Sequence, residues 1–363
     1  MLAIHQPLKA DSTRNAPLIP VGVDVGAGLT KMVIDSDTRQ MRLRLPSQLI
    51  ENKSELHDVL TFKDGGMWYY QSGDRSDLVG REFLIGTSAK AKDPKAHFKL
   101  SDNPASKVEY SLHMILGGLS TLPYRPEWNL QLVLSIHDKK AFEESVRANV
   151  KGLHLVSFNG KTNPSCRINL TVDQVTPEGA GNYIYCATAK PDPLLDRSGY
   201  AIGFDFGTST VIITVFTPGG KIAHRQVLDV GGCIDLLNAI ASDQQLINLL
   251  GQGKVGNIDL IRQGIESRSF HYGERKIQGE SLSFKPIYSR HIKSWLNDRL
   301  RLALKEVNPW LDEAQSLVAW GGGVEMPGVS QMLSTQGITA VVEGSWSGAI
   351  GLKKIAQGRL VRR

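Results

Sequence analysis

Two stretches of the chain share one unusual shape, and this repetition limits the folds open to it. Residues 21–35 read "VGVDVGAGLTKMVID" and residues 203–216 read "GFDFGTSTVIITVF". In both, an apolar run ends on an aspartate, Asp24 or Asp205, a glycine follows two positions later, and a second β-branched run returns. Apolar runs on both sides of a small-residue turn predict a β-hairpin in each place.

The surroundings of the hairpins repeat as well. A third strand follows each one, at "MRLRLP" (41–46) and "KIAHRQVLDV" (221–230), so each hairpin is predicted to open a three-strand meander. Helices and further strands come after both meanders. A chain of 363 residues exceeds the size at which single hydrophobic cores usually stop growing. The sequence therefore predicts an α/β protein of two similar lobes that arose by internal duplication.

Local patterns predict the elements that lie around the meanders. Asp138 as N-cap and Gly152 as the stop mark a helix over 139–151. Apolar periodicity and turn residues give the remaining elements. We expect strands with turns over 81–92, one helix over 107–122, a strand over 168–185 broken at Pro177, helices near 233–250, 258–268 and 285–307, and a last helix over 347–358.

Composition and turn-forming residues predict the domain boundaries. Residues 1–17 are polar and have no periodicity, which predicts a flexible N-terminal arm. The proline, acidic residues and glycine of 192–199 predict a crossing between two ordered regions. We therefore expect lobe I over 18–195 together with a C-terminal helix over 346–363, and lobe II over 196–345.

The residues of the repeated hairpin suit a phosphate group. Glycines at a turn, here Gly26, Gly28 and Gly207, let a ligand approach the main chain, whose N–H groups can then point at an anion. An aspartate would repel a phosphate directly, so Asp24 and Asp205 are predicted to hold a hydrated Mg²⁺ instead. One such turn alone is usually a plain tight turn, but two in equivalent places predict a pair of phosphate-binding loops.

A third glycine-rich element follows a buried strand near the end of the chain. "SLVAWGGGVEMPG" (316–328) runs from a β-branched strand into Gly321, Gly322 and Gly323, where an adenosine could lie against the backbone. No GxxxxGK[ST] pattern occurs in the sequence. A Walker-type phosphate loop is therefore excluded.

With these three motifs in order, the chain resembles the superfamily of actins, heat-shock chaperones and sugar kinases. The resemblance covers about residues 20 to 356 and implies an actin-like fold, a duplicated ribonuclease H-like plan with a nucleotide cleft between the lobes. Its first phosphate loop would comprise Gly26, Ala27, Gly28, Leu29 and Lys31. Its second would comprise Gly207, Thr208, Ser209 and Thr210, and its adenosine motif Gly321, Gly322 and Gly323.

Within this superfamily the chain is most similar to ParM-type bacterial actins. The similar features are "LPS" (45–47), "FLIGTSA" (83–89) and "VTPEGAG" (175–181). In the ParM-like pattern a proline–glutamate pair presents its carboxylate to the attacking water, and Glu178 matches that position. The sequence departs from the pattern at "LVLSIHD" (132–138), which replaces a small glycine–proline turn and leaves that loop undefined.

The resemblance implies an ATPase that works by positioning and electrostatics. Lys31 and main-chain N–H groups would hold the phosphates of ATP, with GTP as an open alternative. Asp24 and Asp205 would organise Mg²⁺ through water, and Glu178 and Asp205 would be the catalytic residues. The implied output is polymerisation of the chain with itself into filaments that segregate plasmid DNA, through a DNA-binding adaptor protein on the plasmid centromere.

Three other functions are compatible with the same fold. A small-molecule kinase is generally longer and needs an inserted substrate pocket, of which the second lobe shows no sign. A chaperone needs a further substrate-binding domain, for which no sequence follows the last predicted helix. A scaffold that binds ATP without polymerising remains an alternative to the filament former.

Composition places the chain among cytoplasmic proteins with no membrane span. No window approaches the ~18 uninterrupted apolar residues that a transmembrane helix needs, and no N-terminal signal peptide is present. The formal charge of +6 is spread along the chain except at the final "RLVRR", so direct binding of nucleic acid is not expected. Three widely spaced cysteines, Cys166, Cys186 and Cys233, predict buried apolar residues and no disulfide framework.

Overall fold

The chain forms two compact units. The computed structural model describes residues 17–35, 39–54, 56, 58–103, 105–251, 253–277 and 279–360. Unit 1 comprises Met1–Ile184 together with Gly348–Arg363, and unit 2 comprises Tyr185–Ser347. The predicted N-terminal arm lies outside the described residues except for Pro17, and so does the end of the basic C-terminal tail.

Unit 1 is built on one large mixed sheet. Its strands are β1 (Ile19–Val25), β2 (Leu29–Asp35), β3 (Gln40–Pro46), β4 (Gln48–Glu51), β5 (Gly65–Gly73), β6 (Glu82–Gly86), β7 (Phe98–Lys99), β8 (Glu127–Ile136), β9 (Gly152–Phe158) and β10 (Ser165–Pro177). They are hydrogen-bonded in the order β3-β2-β1-β8-β10-β9-β5-β6-β4-β7. β1 pairs antiparallel with β2 and β2 antiparallel with β3, which confirms the first predicted meander. β1, β8 and β10 run parallel to one another.

The helices of unit 1 confirm some predictions and correct others. They are α1 (Thr87–Lys92), α2 (Ser106–Glu109), α3 (Ser111–Leu119), α4 (Lys139–Val150) and α5 (Ala180–Ala187), of which α5 continues into unit 2. The helix α4 is confirmed with its cap, since the Asp138 carboxylate accepts a hydrogen bond from the Ala141 N–H at 3.0 Å. The predicted helix over 107–122 is interrupted at Tyr110, which separates α2 from α3.

Two segments predicted as strands are helices, and a glycine marks each change. Gly86 has φ +64° and ends β6, after which residues 87–92 turn into α1. Gly179 has φ +93° and follows the end of β10 at Pro177, so the chain turns into α5 and does not continue as a strand to residue 185. These backbone conformations are open to glycine because it lacks a Cβ atom.

Unit 2 repeats the plan with a smaller sheet. Its strands are β11 (Tyr200–Phe206), β12 (Thr210–Phe216), β13 (Ile222–Gly231), β14 (His271–Ile277), β15 (Glu280–Ser283), β16 (Ala314–Trp320) and β17 (Thr339–Ala340). The main sheet has the order β13-β12-β11-β16-β17, and β14 pairs with β15 in a separate hairpin. The antiparallel pairing of β11, β12 and β13 confirms the second predicted meander, and β11 runs parallel to β16.

The helices of unit 2 follow the predicted order. They are α6 (Cys233–Ala241), α7 (Gln244–Leu250), α8 (Ile258–Glu266), α9 (Lys285–Leu311) and α10 (Val329–Ser334), followed by α11 (Gly344–Leu360), whose residues from Gly348 onward belong to unit 1. The helical stretch predicted over 233–250 is broken at Asp243, whose carboxylate accepts a hydrogen bond from the Gln245 N–H and starts α7. Asp243 therefore acts as an N-cap inside the predicted helix.

The part of α11 that belongs to unit 1 lies in close contact with β1 and α5. A Cβ atom added at Gly22 of β1 would come within 2.1 Å of the Ala349 carbonyl oxygen, and one added at Gly181 would come within 2.4 Å of the Gly348 carbonyl oxygen. Farther along the helix, the Lys353 ammonium lies 2.5 Å from an Asp35 carboxylate oxygen. The sheet and the helix therefore approach each other at backbone distance.

Each unit has its own apolar core. One cluster contains the buried faces of β1, β8 and β10, and a second contains those of β11 and β12 with α6 and α9. The predicted burial of the cysteines is confirmed, since all three are buried. Burial raises the pKa of the Cys166 and Cys233 thiols to about 12. Within the described ranges, no helix has both the length and the hydrophobicity needed to cross a bilayer.

Candidate functional site

In unit 1, polar side chains gather where three parallel strands end. The register places Asp24 of β1 beside Ser135 of β8, and Ser135 beside Thr176 of β10. Glu178 follows two residues later, and its backbone N–H donates to the Ile136 carbonyl oxygen at 3.0 Å. In α/β sheets, ligands bind at the carboxyl ends of parallel strands. We call the carboxyl ends of these strands, together with the turn that follows β1, the unit 1 edge.

The first predicted phosphate loop is a tight turn closed by its own backbone. The Gly26 N–H donates to the Leu29 carbonyl oxygen at 3.1 Å, and a Cβ atom at Gly26 would lie only 2.6 Å from that oxygen. Gly26, Ala27, Gly28 and Leu29 therefore shape the turn between β1 and β2. Lys31 lies on the outgoing strand directly opposite Asp24, and residues opposite each other in an antiparallel pair share one face of the sheet.

Ser47 braces this turn from the next strand connection. Its hydroxyl donates to the Gly26 carbonyl oxygen at 2.6 Å and lies 2.9 Å from the Thr30 hydroxyl oxygen. Its backbone N–H donates to the Gly28 carbonyl oxygen at 3.0 Å. The serine of the "LPS" segment, which entered the sequence analysis only as a mark of resemblance, therefore holds the loop in shape.

Asp24 is oriented by a hydroxyl that the sequence did not identify. The Ser135 hydroxyl donates to Oδ1 of Asp24 at 3.0 Å, across 111 positions of sequence. On the other side, a Cβ atom added at Gly348 would lie 3.5 Å from Oδ2 of Asp24. The carboxylate is thus fixed by a donor on one side and closely approached by main chain on the other.

Glu178 is held by an ion pair within the same unit. The Lys107 ammonium of α2 lies 2.8 Å from Oε1 of Glu178, and both side chains are only 15% exposed. This partner was also missed from the sequence, since 71 positions separate the two residues. The carboxylate predicted to orient water therefore has a defined direction.

Unit 2 places the second loop and the adenosine motif side by side. The register of the parallel strands β11 and β16 puts Asp205 beside Trp320, so the strand carrying Asp205 ends next to the start of the glycine run. Gly321 has φ +90°, and a Cβ atom there would lie 2.6 Å from both Oδ1 of Asp205 and the Phe206 carbonyl oxygen. Nothing lies within 4 Å of a Cβ atom added at Gly322. We call the carboxyl ends of β11 and β16, together with the turns that follow them, the unit 2 edge.

The second phosphate loop is braced by main chain. The Gly207 N–H donates to the Thr210 carbonyl oxygen at 3.0 Å, which closes a turn of the same type as the first. The N–H groups of Cys233 and Ile234 donate to the carbonyl oxygens of Gly207 and Thr208 at 3.0 and 2.9 Å. The turn therefore rests on the start of α6.

The segment beneath this turn is itself anchored by α9. A Cβ atom at Gly232 would lie 2.3 Å from the Gly207 carbonyl oxygen, so only glycine fits there without a shift. Trp295 donates from its indole N–H to the Gly232 carbonyl oxygen at 3.1 Å, and Arg299 donates to the Gly231 carbonyl oxygen at 3.1 Å and to the Asp235 carboxylate at 2.8 Å. Sequence analysis missed this brace, although the adjacent glycines after β13 were a visible signal.

The predicted site residues thus form two groups, each at the carboxyl ends of parallel strands. The unit 1 edge holds Asp24, Gly26, Ala27, Gly28, Leu29, Lys31 and Glu178. The unit 2 edge holds Asp205, Gly207, Thr208, Ser209, Thr210, Gly321, Gly322 and Gly323.

The donor set at these edges fits a hydrated Mg²⁺ better than a metal bound directly by several side chains. Among the described residues, no three or more His, Cys, Asp or Glu side chains come together in a group that could hold a metal. Mg²⁺ keeps several waters and uses one or two carboxylates together with phosphate oxygens. Asp24, oriented by Ser135, and Asp205, at the end of β11, are carboxylates of this kind.

Comparisons with known proteins agree with this geometry. Residues 22–181 match the family model described as "Actin like proteins N terminal domain". Slightly less than half of the chain therefore resembles the N-terminal domain of actin-like proteins. A search of curated protein sequences gives no match.

Solved structures of actin-like proteins share the fold of nearly the whole chain. An archaeal actin homologue in complex with ADP, Ta0583, matches with a TM-score of 0.72 at 14% identity, over 94% of this chain and 100% of its own. ParM in a 15-stranded filament from Clostridium botulinum matches with a TM-score of 0.67 at 16% identity, over 94% and 100%. ParM of Bacillus thuringiensis in apo form matches with a TM-score of 0.63 at 12% identity, over 95% and 97%.

These matches confirm the actin-like fold and the resemblance to ParM that the motifs predicted. At such low identities they establish the fold alone. ADP belongs to the archaeal homologue and the filament to the clostridial ParM, and neither is thereby assigned to this chain.

Proposed function

We propose that this chain binds and hydrolyses Mg-ATP and that the bound nucleotide controls its assembly into filaments. The observation that carries the proposal is the recurrence of one arrangement in both units. Each Asp-x-Gly hairpin lies at the carboxyl end of parallel strands, with closed turns at Gly26 and Gly207. The ADP in one similar structure and the ParM filament in another support the choice of ligand and output.

Different groups of the chain would bind the phosphates, the adenosine and the Mg²⁺ ion. Main-chain N–H groups of the two turns and the Lys31 ammonium would hold the phosphates, since oriented N–H groups and a cation both favour an anion. Glycines 321–323 would accept the adenosine, and Asp24 and Asp205 would hold Mg²⁺ through water. Bound Mg²⁺ would supply neutralisation of the phosphate charge.

Glu178 would orient the attacking water from the unit 1 edge. Its backbone is fixed by the Ile136 carbonyl oxygen and its carboxylate by Lys107. A carboxylate fixed in this way can accept a hydrogen bond from water and hold it for in-line attack on the terminal phosphate. Hydrolysis would then rest on positioning and on preorganised charge.

The test is to separate nucleotide binding from hydrolysis with Glu178→Ala. We expect the variant to bind ATP with nearly wild-type affinity and to hydrolyse it about 10² to 10⁴ times more slowly. Because assembly would follow binding and disassembly would follow hydrolysis, light scattering should rise and decay for the wild type but rise and persist for the variant. Glu144→Ala, which removes an exposed glutamate of the same unit, should behave as wild type.

Each outcome decides a separate part of the proposal. If the wild type binds ATP but neither scatters light nor pellets with ATP or GTP, the filament output is wrong and an ATP-binding scaffold replaces it. If the variant assembles and decays at the wild-type rate, Glu178 does not orient the water. Full activity in excess EDTA would remove Mg²⁺ from the mechanism.

We further propose that the filaments segregate plasmid DNA through an adaptor protein bound at a centromere-like site. The support is the likeness to several ParM structures. A plasmid that carries this gene with its flanking DNA should be inherited more faithfully than the same plasmid with Glu178→Ala. Equal loss of the two plasmids would point to another cytoskeletal role.

A further inference from the structure

The ion pair between Lys107 and Glu178 joins two elements that are distant in sequence. Lys107 lies on the short helix α2, and Glu178 lies in the turn between β10 and α5. Their charged atoms are 2.8 Å apart, and each side chain is 15% exposed. Pairs of fully exposed side chains contribute little, but this one is largely withdrawn from water.

The helix that carries Lys107 is firmly placed. Ser106 and Val108, on either side of Lys107, are buried. The Ser111 hydroxyl donates to the Lys107 carbonyl oxygen, and the Asn149 side chain of α4 donates to the Val108 carbonyl oxygen at 3.4 Å. The backbone that carries the lysine side chain is therefore held in place.

Glu178 needs such a partner, because its backbone alone does not fix its carboxylate. The Ile136 carbonyl oxygen holds the Glu178 N–H, and Gly179 turns the chain immediately afterwards. A glutamate side chain still has three rotatable bonds beyond the backbone, and ordering a long side chain opposes the fixed geometry that catalysis requires.

We propose that Lys107 is a positioning residue, which fixes the Glu178 carboxylate in the direction needed to orient the attacking water. The inference rests on the role proposed above for Glu178 and adds the group through which that role is achieved. Lys107 acts through Glu178 and does not itself contact the nucleotide.

The experiment is a double-mutant cycle in single-turnover hydrolysis, with nucleotide affinity measured beside it. We expect Lys107→Ala to slow hydrolysis about 10- to 30-fold, the scale on which freeing a long side chain acts, and to leave the Kd for ATP within about twofold. Lys107→Arg, which keeps a cation in reach of the carboxylate, should recover most of the rate. In the background of Glu178→Ala, adding Lys107→Ala should cause no further loss.

Controls separate this role from a charge or folding effect. Lys140→Ala removes an exposed cation of the same unit and should hydrolyse ATP at the wild-type rate. If Lys107→Ala does not fold, Lys107→Met keeps the apolar stem and takes its place in the cycle.

The possible results are distinguishable. Multiplying losses in the double variant, or a wild-type rate for Lys107→Ala beside a slow Glu178→Ala, would overturn the role of Lys107 and leave the proposed function standing. A wild-type rate for Glu178→Ala would instead overturn the proposed role of Glu178, and the inference with it.

Discussion

Each edge contains a hairpin of the same kind, but different groups hold its turn in shape. In unit 1 the Ser47 hydroxyl holds the turn at Gly26, and charged side chains such as Glu178 and Lys107 lie nearby. In unit 2 the turn at Gly207 accepts hydrogen bonds from the N–H groups that follow Gly232, a segment that the side chains of Trp295 and Arg299 anchor in turn. At the first turn a side chain therefore contacts the loop directly, whereas at the second the direct contacts are made by main chain.

This difference shows how two copies of one hairpin can serve different roles. A side chain can hold a proton, a charge or a water, whereas a glycine lets another group approach the main chain closely. We expect added volume at the unit 2 edge to weaken nucleotide binding, and loss of a side-chain brace beneath either turn to lower the free energy of unfolding. Substitutions that obey or violate this rule test the comparison directly.

The largest effect is expected from a methyl group at the unit 2 edge. Gly321→Ala would place a Cβ atom 2.6 Å from Asp205 and from the Phe206 carbonyl oxygen, at a φ of +90°. Backbone strain of about 1–3 kcal/mol would add to this collision, and we expect ATP affinity to fall at least about 10²-fold, which corresponds to about 2.7 kcal/mol. Isothermal titration calorimetry with ATP would measure it.

Gly251→Ala is the matched control for Gly321→Ala. Gly251, in the same unit, has φ +75° and ψ +167°, close to the φ +90° and ψ +173° of Gly321, but nothing lies within 4 Å of an added Cβ atom. It therefore shares the backbone strain and lacks the collision. Unchanged ATP affinity for both variants would show that the unit 2 edge does not depend on close approach at Gly321.

A smaller effect is expected from the brace beneath the second turn. Arg299→Ala would remove the side-chain donor to the Gly231 carbonyl oxygen, and the Arg299 side chain is only 9% exposed. The Trp295 carbonyl oxygen keeps the backbone N–H of residue 299, four positions later in α9, as its donor. We expect the free energy of unfolding to fall by about 2–3 kcal/mol in urea titrations. The Asp235 carboxylate is 45% exposed, so water replaces much of what it loses.

Arg290→Ala on the same helix provides the comparison. Its side chain is 54% exposed and pairs with Asp243, so its loss should cost less than about 0.5 kcal/mol. Equal destabilisation by the two arginine substitutions would argue against a structural brace at Arg299.

The smallest effect is expected at the unit 1 turn. Ser47→Ala removes the hydrogen bond to the Gly26 carbonyl oxygen and the contact with Thr30, which should lower the free energy of unfolding by about 1 kcal/mol. The matched control is Ser101→Ala, because the Ser101 hydroxyl donates to the exposed carboxylate of the neighbouring Asp102. If Ser47→Ala unfolds in urea as the wild type does, the hydroxyl brace is not what holds this turn.

The sequence predicted the parts of the fold that local pattern determines. The meanders and the helix capped by Asp138 follow from alternation, turn residues and a capping side chain within a few positions. Within the strands with turns predicted over 81–92, the strand is confirmed as β6, but residues 87–92 form α1, because the apolar residues of β6 hid the helix-forming residues after Gly86. The strand predicted over 168–185 is confirmed as β10 up to its predicted break at Pro177. The residues beyond the break form α5, because the turn at Gly179 outweighs the β-propensity of the tyrosines and isoleucine that follow.

In the candidate site, too, only the residues marked by a short sequence pattern could be predicted. Asp24 and Asp205 were found because aspartate and glycine stand two positions apart in two equivalent places. Ser135, Lys107 and Arg299 were missed because their partners lie 111, 71 and 64 positions away, and no short pattern records such a contact. The residues proposed to carry out chemistry were therefore easier to predict than the residues that hold them in place.

The glycine contacts of α11 have a consequence for how the protein is made. Unit 2 is one continuous stretch of chain, whereas β1 of unit 1 must receive a helix segment that starts at Gly348. A ribosome delivers that segment only after all of unit 2 has been synthesised. Every strand of unit 2 thus precedes that segment in the chain, and the surface of β1 around Gly22 stays uncovered until α11 emerges.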